Sequence, residues 1–528
     1  MLALSHWCPS PTGRTSLSAP IDSPANQRMI LIVIGIVSSL VMLDTNLVAV
    51  ALPTIASSLN ADFADLQWVI TAYVLPFAAL LLAAGSFGDR VGRRRAALIG
   101  LVLFGLASLA CGLSVSPLML DISRAVQGVG ASLLLTATLA IINHTFVGPE
   151  RAKAYAFWGA SLGVAITCGP ILGGVISSLF GWQWAFLINV PLCSVLIVAT
   201  LKVVPESRDP GADSLDYGGI LTFSSGLFLL TWAVIDGNAS GWLAPAVMWR
   251  AVGGLLLLAA FVMVEKRQSN PMLDFKIFGS RYFCGTVASM MGYAVAAQVM
   301  IFYLPLYLQN AFGFAPMTAG FAMLPFALPM FLVPRLSANI TLSSRALLSL
   351  GLGVTAAGDM MMALLCNAGA SYPLCAVAMV ITGTGAGILN GETAKAVQGA
   401  LPANRSGVAS GIAATIRFTT LLFGIAALGA ILLSSTLKAF VPHAGSLGWS
   451  IGQAVSTAKR FCAGDAASIE TTVMGLLRSA FESGFASAAW AAVAVAIIAL
   501  VVTRTLMAEG APATSGSEPA EALFVADE

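Results

Sequence analysis

The sequence predicts an all-α integral membrane protein of about fourteen spanning helices, and three observations carry that prediction. Of 528 residues, 58% are hydrophobic and only 9% charged, where a soluble domain needs roughly 25% charged residues to cover its surface. Mean hydropathy is +0.88. Runs of about 20 apolar residues, each long enough to cross about 30 Å of hydrocarbon, recur along almost the whole chain. Lys and Arg, finally, gather in alternate connections between those runs.

Taken in order, residues 1–28 are rich in Ser and Pro with no apolar core. They lack the form of a signal peptide and read as a disordered cytoplasmic tail, so the first span is retained. Spans follow near 30–52, 66–86, 96–114, 118–143, 154–178 and 184–203, making an N-terminal six-helix bundle over 29–204. A linker, 205–282, holds two further spans near 217–236 and 246–264, preceded by the polar run Asp213 to Gly219. The C-terminal six-helix bundle covers 283–505, with spans near 283–306, 316–334, 346–366, 373–391, 407–433 and 484–503, a long outer loop at about 434–483, and a cytoplasmic tail over 506–528.

Positive residues accumulate in short loops on the cytoplasmic side. Counted from an inside N-terminus, the inner segments carry Arg90 to Arg95, Arg151, Lys153, Lys202, Arg208, Lys266, Arg267, Lys276, Arg281, Arg335, Arg345, Arg405 and Arg504. The short turns between them, near Asp62, Val115, Phe180, Asn238, Gly313 and Asn367, have no cation. Both termini are therefore expected in the cytoplasm, and the protein in the inner (plasma) membrane. With the cations explained by topology and a net charge of +2, nothing points to nucleic acid. Enzymatic chemistry has no foothold either. His6, His144 and His443 are scattered, and the eight Cys have no metal-ligand spacing, so no catalytic residue, metal or cofactor is expected.

The chain also repeats itself. Gly128-Val-Gly130-Ala131, a helix, Pro149-Glu150-Arg151 and another span recur as Gly383-Thr-Gly385-Ala386, a helix, Ala403-Asn404-Arg405 and another span. Secondary transporters are built of such repeats, related about an axis along the membrane normal, with the site between them near the midplane.

Several segments then carry a more specific resemblance. Gly85-x-Phe87-Gly88-Asp89-Arg90-x-Gly92-Arg93-Arg94, between the second and third spans, resembles the loop signature of the major facilitator superfamily, with Phe87 in place of the usual Leu. Arg124-x-x-x-Gly128-x-Gly130 is similar to its fourth-helix motif. Gly169-Pro170-x-x-Gly173-Gly174 looks like the fifth-helix element of its antiporters, although Ala165 stands where a Gly is common. Leu43-Asp44-Thr45-Asn46 through Pro53-Thr54-Ile55, and Trp184-Ala-Phe186 through Asn189-Val-Pro191, resemble segments of the fourteen-helix drug:proton antiporters of the EmrB/QacA type. The resemblance spans about 30–505 and implies the major facilitator fold, two six-helix bundles plus two additional helices.

Ionisable groups inside spans are costly and mark ion or substrate paths. Asp44 lies at mid-depth among Val, Leu and Met. Burial disfavours the charged carboxylate and a bound organic cation favours it, so proton and cation would compete for one group. The structural alternative is a hydrogen bond to Thr45 or a neighbouring helix. For Arg124 the resemblance implies a part in proton coupling, against a local pair with Asp121 at i, i+3. Asp359 is the second proton or cation candidate. Glu392 is expected to pair with Lys395, and Arg417 needs a counter-charge that the sequence does not identify.

Gly169, Pro170, Gly173 and Gly174 read as a bend and close-packing seam in the fifth helix. Gly85, Gly88 and Gly92 are expected to let the charged loop turn and pack closely. By resemblance, Asp89 meets the N-terminus of the thirteenth helix near Ser406-Gly407, and Arg93 pairs with Glu150. With Arg90 and Arg94 they form a cytoplasmic gate. Trp68, Tyr73, Phe77, Tyr293, Phe302 and Tyr303 are candidates to line a pocket. The expectation is a proton-driven exporter of hydrophobic or cationic small molecules that uses no cofactor, with a periplasmic adaptor protein as a candidate partner. The alternatives are a dedicated exporter of one endogenous metabolite and a non-transporting membrane sensor.

Overall fold

The computed structural model describes residues 24–146, 148–208, 216–268, 275–337, 342–399, 406–464 and 469–507. Among them, fourteen helices are long and apolar enough to cross a membrane. In chain order these are α1 (Pro24–Leu59), α2 (Phe63–Val91), α3 (Arg93–Gly112), α4 (Pro117–Thr145), α5 (Gly148–Leu179), α6 (Trp184–Val203) and α7 (Tyr217–Ser240). They continue as α8 (Pro245–Arg267), α9 (Arg281–Asn310), α10 (Pro316–Leu336), α11 (Ser344–Asn367), α12 (Tyr372–Gly399), α13 (Ser406–Phe440) and α14 (Thr471–Leu506). The chain is a multi-pass membrane protein.

Helix starts carry local signals. Asp62 and Asp65 form a reciprocal capping box at α2. Ser116 caps α4 with Pro117 at its first position, and Ser343 caps α11. Each supplies an acceptor to amides that the helix itself leaves unpaired. Outward faces are apolar: Ile99, Val102, Leu106 and Leu109 recur at helical spacing along α3 and stay exposed, as a lipid-facing stripe should. Inside, backbones approach through small residues. A methyl group on Gly130 would come within 3.0 Å of Gly100 O, and one on Gly385 within 2.7 Å of Gly351 O. The same α3–α4 seam therefore recurs as α11–α12, and the repeat read from the sequence is a repeat of packing.

One half comprises α1 to α6, the other α9 to α14. They meet through α1, α2 and α5 on one side and α9, α10 and α13 on the other. The two additional helices form a hairpin whose α7 lies against both α2 and α13. Ends differ from expectation in several places, among them α2, which runs on to Val91, and α12, which runs on to Gly399. Helix α1 begins at Pro24, within the stretch read as tail. Helices α13 and α14 extend to Phe440 and from Thr471, shortening the long loop. Within that loop, Ser450 and Gln453 cap a further helix, Ile451–Cys462, whose Ala454, Ala458, Phe461 and Cys462 are buried.

Candidate functional site

Asp44 lies in a closed polar cage built from four helices of the first half. Its Oδ2 accepts from Arg124 Nη1 at 2.6 Å, and its Oδ1 accepts from Gln127 Nε2 at 2.9 Å and Asn189 Nδ2 at 2.7 Å. Both amides also donate to Ser108 Oγ, at 2.7 and 3.0 Å. Arg124 Nε donates to Val69 O of α2, and its guanidinium lies 4.1 Å from the centre of the Tyr73 ring. Asp44 and Arg124 are each only 1% exposed. A buried ion pair holds only if its remaining donors and acceptors are met, which is what Gln127, Asn189 and Ser108 do here. Arg124 therefore pairs with Asp44 across the bundle. The local pair with Asp121 is not formed, because the guanidinium points into the bundle.

The cage does not open on the cavity between the halves. About 420 Å³ of empty space lies there, bounded by Asn46, Tyr73 and Phe77 on one side and Gln298, Phe302 and Phe418 on the other. Tyr73 stands between, touching Arg124 with its ring and the cavity with its edge. The other expected aromatics take other places. Trp68 packs on Phe228 of α7, Tyr303 donates to Ile425 O, and Tyr293 lies beside Arg417.

In the second half, Asp359 of α11 is 3% exposed and receives one hydrogen bond, from Thr382 Oγ1 at 3.1 Å. Its Oδ2 has no hydrogen-bond partner among the described residues and borders about 240 Å³ of space lined by Met300, Leu304, Met362 and Met379. That space lies on the face of α9 opposite the central cavity. Glu392 pairs with Lys395 at 3.5 Å and takes a hydrogen bond from Ser344 at 2.5 Å. The partners of Arg417 are neutral: Gln298 Oε1 at 2.8 Å and Asn390 Oδ1 at 3.5 Å.

Among the described residues, the hydrogen bonds between the halves all lie at mid-depth or toward the end opposite the arginine-rich loop. Gln67 of α2 donates to Tyr303 and Ile425, Gln309 of α9 to Val50 O, and the Met317 amide of α10 to Ser178. Asn310 holds the loop helix through Phe461 O, and Gly464, at φ +94°, packs directly on Pro53 of α1. That end of the molecule is closed.

The glycine-proline element of α5 faces two ways. Methyl groups at Gly169 and Gly173 would come within 2.5 Å of Asn46 and Leu47 of α1, and one at Gly174 within 2.5 Å of Pro316 O of α10. Gly320 of α10 returns the contact at Pro170 O, also 2.5 Å from an added methyl. The element is thus a bare-backbone seam joining both halves, with Pro170 inside the helix.

At the arginine-rich loop, Gly92 alone needs to be glycine for its conformation, at φ +119°. Gly88 is in ordinary contact and Gly85 has open space around it, because both lie within α2, so the expected close packing at Gly85 is absent. Asp89 pairs with Arg93 at 2.9 Å, and Glu150 with Lys153 at 2.7 Å. The expected Arg93–Glu150 pair is replaced by these two local ones, the first bridging the break at Gly92 and the second spanning a single helical turn. Arg90 is exposed. The side chains at Ser406 and Gly407, where Asp89 was expected to dock, lie outside the described residues.

Four residues were given no role at the site by the sequence reading. Ser108, Gln127 and Asn189 complete the cage: Gln127 and Asn189 lie inside the motif segments of the fourth and sixth spans, and Ser108 was marked only by its polarity within an apolar span. Glu206 is the fourth: Oε1 accepts from the Arg94 amide at 3.1 Å, capping the start of α3, and Oε2 lies 3.6 Å from Arg95 Nε. With Arg93 N donating to Ser207 O at 2.8 Å, it ties the loop to the chain leaving α6. An acid three residues after a span gave no sign of it.

Comparison with known proteins accords with this geometry. A family model described as Major Facilitator Superfamily matches residues 34–424. The chain is 33% identical over 426 residues to multidrug resistance protein Stp of Mycobacterium tuberculosis, covering 79% of this chain and 78% of that one. It is 34% identical over 438 residues to cephamycin export protein CmcT of Amycolatopsis lactamdurans, covering 81% and 88%. Against multidrug efflux pump LfrA of Mycolicibacterium smegmatis the identity is 30% over 490 residues, covering 91% and 96%. Among solved structures, a bacterial homolog of the human lysosomal transporter Spinster, inward-facing and unoccupied, shares the fold with a TM-score of 0.59 at 16% identity, covering 92% of this chain and 97% of that one. With its two six-helix halves, its arginine-rich loop and a family match over most of its length, this chain belongs to the major facilitator superfamily.

Proposed function

We propose that the protein is a proton-coupled exporter of amphipathic drugs or other toxic organic compounds, working by alternating access in the plasma membrane with both termini in the cytoplasm. It acts on its cargo by moving it, without a cofactor, the proton gradient supplying the energy. The observation that carries this is Tyr73, which belongs both to the wall of the central cavity and to the cage of Asp44 and Arg124. A proton arriving on Asp44 weakens its hold on Arg124, and the guanidinium and the ring resting on it respond together, so cargo in the cavity senses the proton. With the arginine-rich end in the cytoplasm, the closed end is the outer one, and the conformation is that of the cargo-loading state. The similarity to a multidrug resistance protein, a cephamycin export protein and a multidrug efflux pump supports the class of cargo.

Dedicated export of one metabolite is a second reading, favoured by the 34% identity to a cephamycin export protein. Everted membrane vesicles test both. Energised vesicles carrying the protein should release protons when a drug is added, and vesicles carrying Asp44→Asn at equal protein level should not. Drug-stimulated release that persists in Asp44→Asn removes Asp44 from the path. No release with any drug in a broad panel defeats the multidrug reading and turns the search to the cell's own metabolites.

A further inference from the structure

We infer that the central cavity selects amphipathic organic anions, their acidic group docking beside Arg417. This rests on the proposed export function and names the charge class of its cargo. Among the described residues, the side chains bounding the cavity include not one acid, and its polar members are Thr45, Asn46, Tyr73 and Gln298. The two carboxyls on which a cationic cargo was expected to bind face elsewhere. Asp44 is taken up by Arg124, Gln127 and Asn189 on the far side of Tyr73, and Asp359 opens on the opposite face of α9.

Behind the second-half wall of the cavity the charge is positive. Arg417 is half-buried one residue before Phe418, a cavity wall, and its Nε donates to Gln298, another wall. Gln298 ends a π-helical turn, Ala294–Gln298, in which Val299 N reaches back to Ala294 O at 3.1 Å. Such a turn rotates the side chains after it relative to a regular helix and recurs at functional sites. Here it sets an amide oxygen between the cavity and the guanidinium. The rest of the surroundings are rings and amides: Tyr293 at 5.2 Å, Phe418 at 5.8 Å and Asn390. Among the described residues no carboxylate pairs with Arg417. A cation held by neutral dipoles just behind the wall of an apolar cavity lacks its counter-ion, and a carboxylate or sulfonate on an aromatic body that displaces the Gln298 amide supplies one with a fork geometry that guanidinium matches. An organic cation in the same space meets like charge at low dielectric with no acid to offset it.

The test uses a matched pair of probes, naphthalene-sulfonate and naphthyl-trimethylammonium, titrated against the purified full-length protein in lipid nanodiscs, with empty nanodiscs subtracted. The sulfonate should bind about tenfold more tightly, the range expected of one charge-assisted hydrogen bond. Arg417→Gln should remove that preference by weakening the sulfonate alone, and Arg417→Lys should keep most of it. Equal or tighter binding of the ammonium probe to the unaltered protein overturns the inference, whether or not any variant folds. So does a preference that survives Arg417→Gln, and so does an absence of sulfonate binding. Because binding is read without a gradient, these outcomes are separate from those of the vesicle experiment, where loss of drug-driven proton release would defeat the export reading instead.

Discussion

In the first half, Gly100 of α3 meets Gly130 of α4, and Gly128 meets the Tyr73 carbonyl of α2; in the second, Gly351 of α11 meets Gly385 of α12, and Gly383 meets the Phe326 carbonyl of α10. Aligned on these contacts, Ser108 and Asp359 each stand eight residues after the α3 or α11 glycine, Gln127 and Thr382 just before the α4 or α12 pair, and Arg124 and Met379 four residues before it. The hydrogen-bonded couple Gln127–Ser108 is thus repeated as Thr382–Asp359. The first half adds Asp44 from its first helix and Asn189 from its sixth. The second has Met300 and Ala489 on the corresponding helices. One scaffold therefore holds a fully satisfied ion pair in one copy, and in the other a lone acid beside methionines. The lesson is that duplication conserves backbone contact, where the glycines are, more strictly than the charges placed upon it.

Six substitutions break or sharpen that contrast. Making the first half resemble the second, Arg124→Met leaves Asp44 buried without its cation, and stability should fall by about 3–5 kcal/mol, seen as a large drop in melting temperature of the detergent-purified protein. A drop under about 1 kcal/mol would show that the cage is dispensable. Gly128→Ala and Gly383→Ala press a methyl group against equivalent carbonyls, and each should cost about 1–3 kcal/mol in the same assay. Costs that differ widely would break the structural equivalence. Asp359→Leu deletes a carboxyl oxygen that no donor meets, a burial worth about 1–3 kcal/mol against folding, so melting should be unchanged or rise by a few degrees. Asp44→Leu, measured beside it, should fall, because Arg124 is stranded. The smallest effect belongs to Glu150→Gln, which loses only an exposed pair with Lys153 and should stay within about 0.5 kcal/mol.

The helices were legible because an apolar run of about 20 residues has few other uses. All fourteen spans, the repeat and the location of the charged loop follow from such local signals. The partners of the charges were not. Asp44 is contacted from positions 80 to 145 residues away, and which face of α3, α4 or α6 turns toward it depends on helix rotation set by packing across the whole half. The same holds for Arg417, whose expected counter-charge is replaced by two amides from α9 and α12. The resemblance misled where a nearer neighbour competed. Arg93 found Asp89 across the break at Gly92, and Glu150 found Lys153 one turn away.

The position of α7 has a bearing on how molecules dissolved in the membrane reach the cavity. It lies against α2 and α13, one helix from each half, with Phe228 packed on Trp68. Sideways passage through the α2–α13 seam therefore meets protein first. The opposite seam, where α5 meets α10, has no such additional helix packed over it among the described residues. The additional hairpin makes the transporter two-sided, so that a hydrophobic compound arriving from the bilayer has one flank by which to approach.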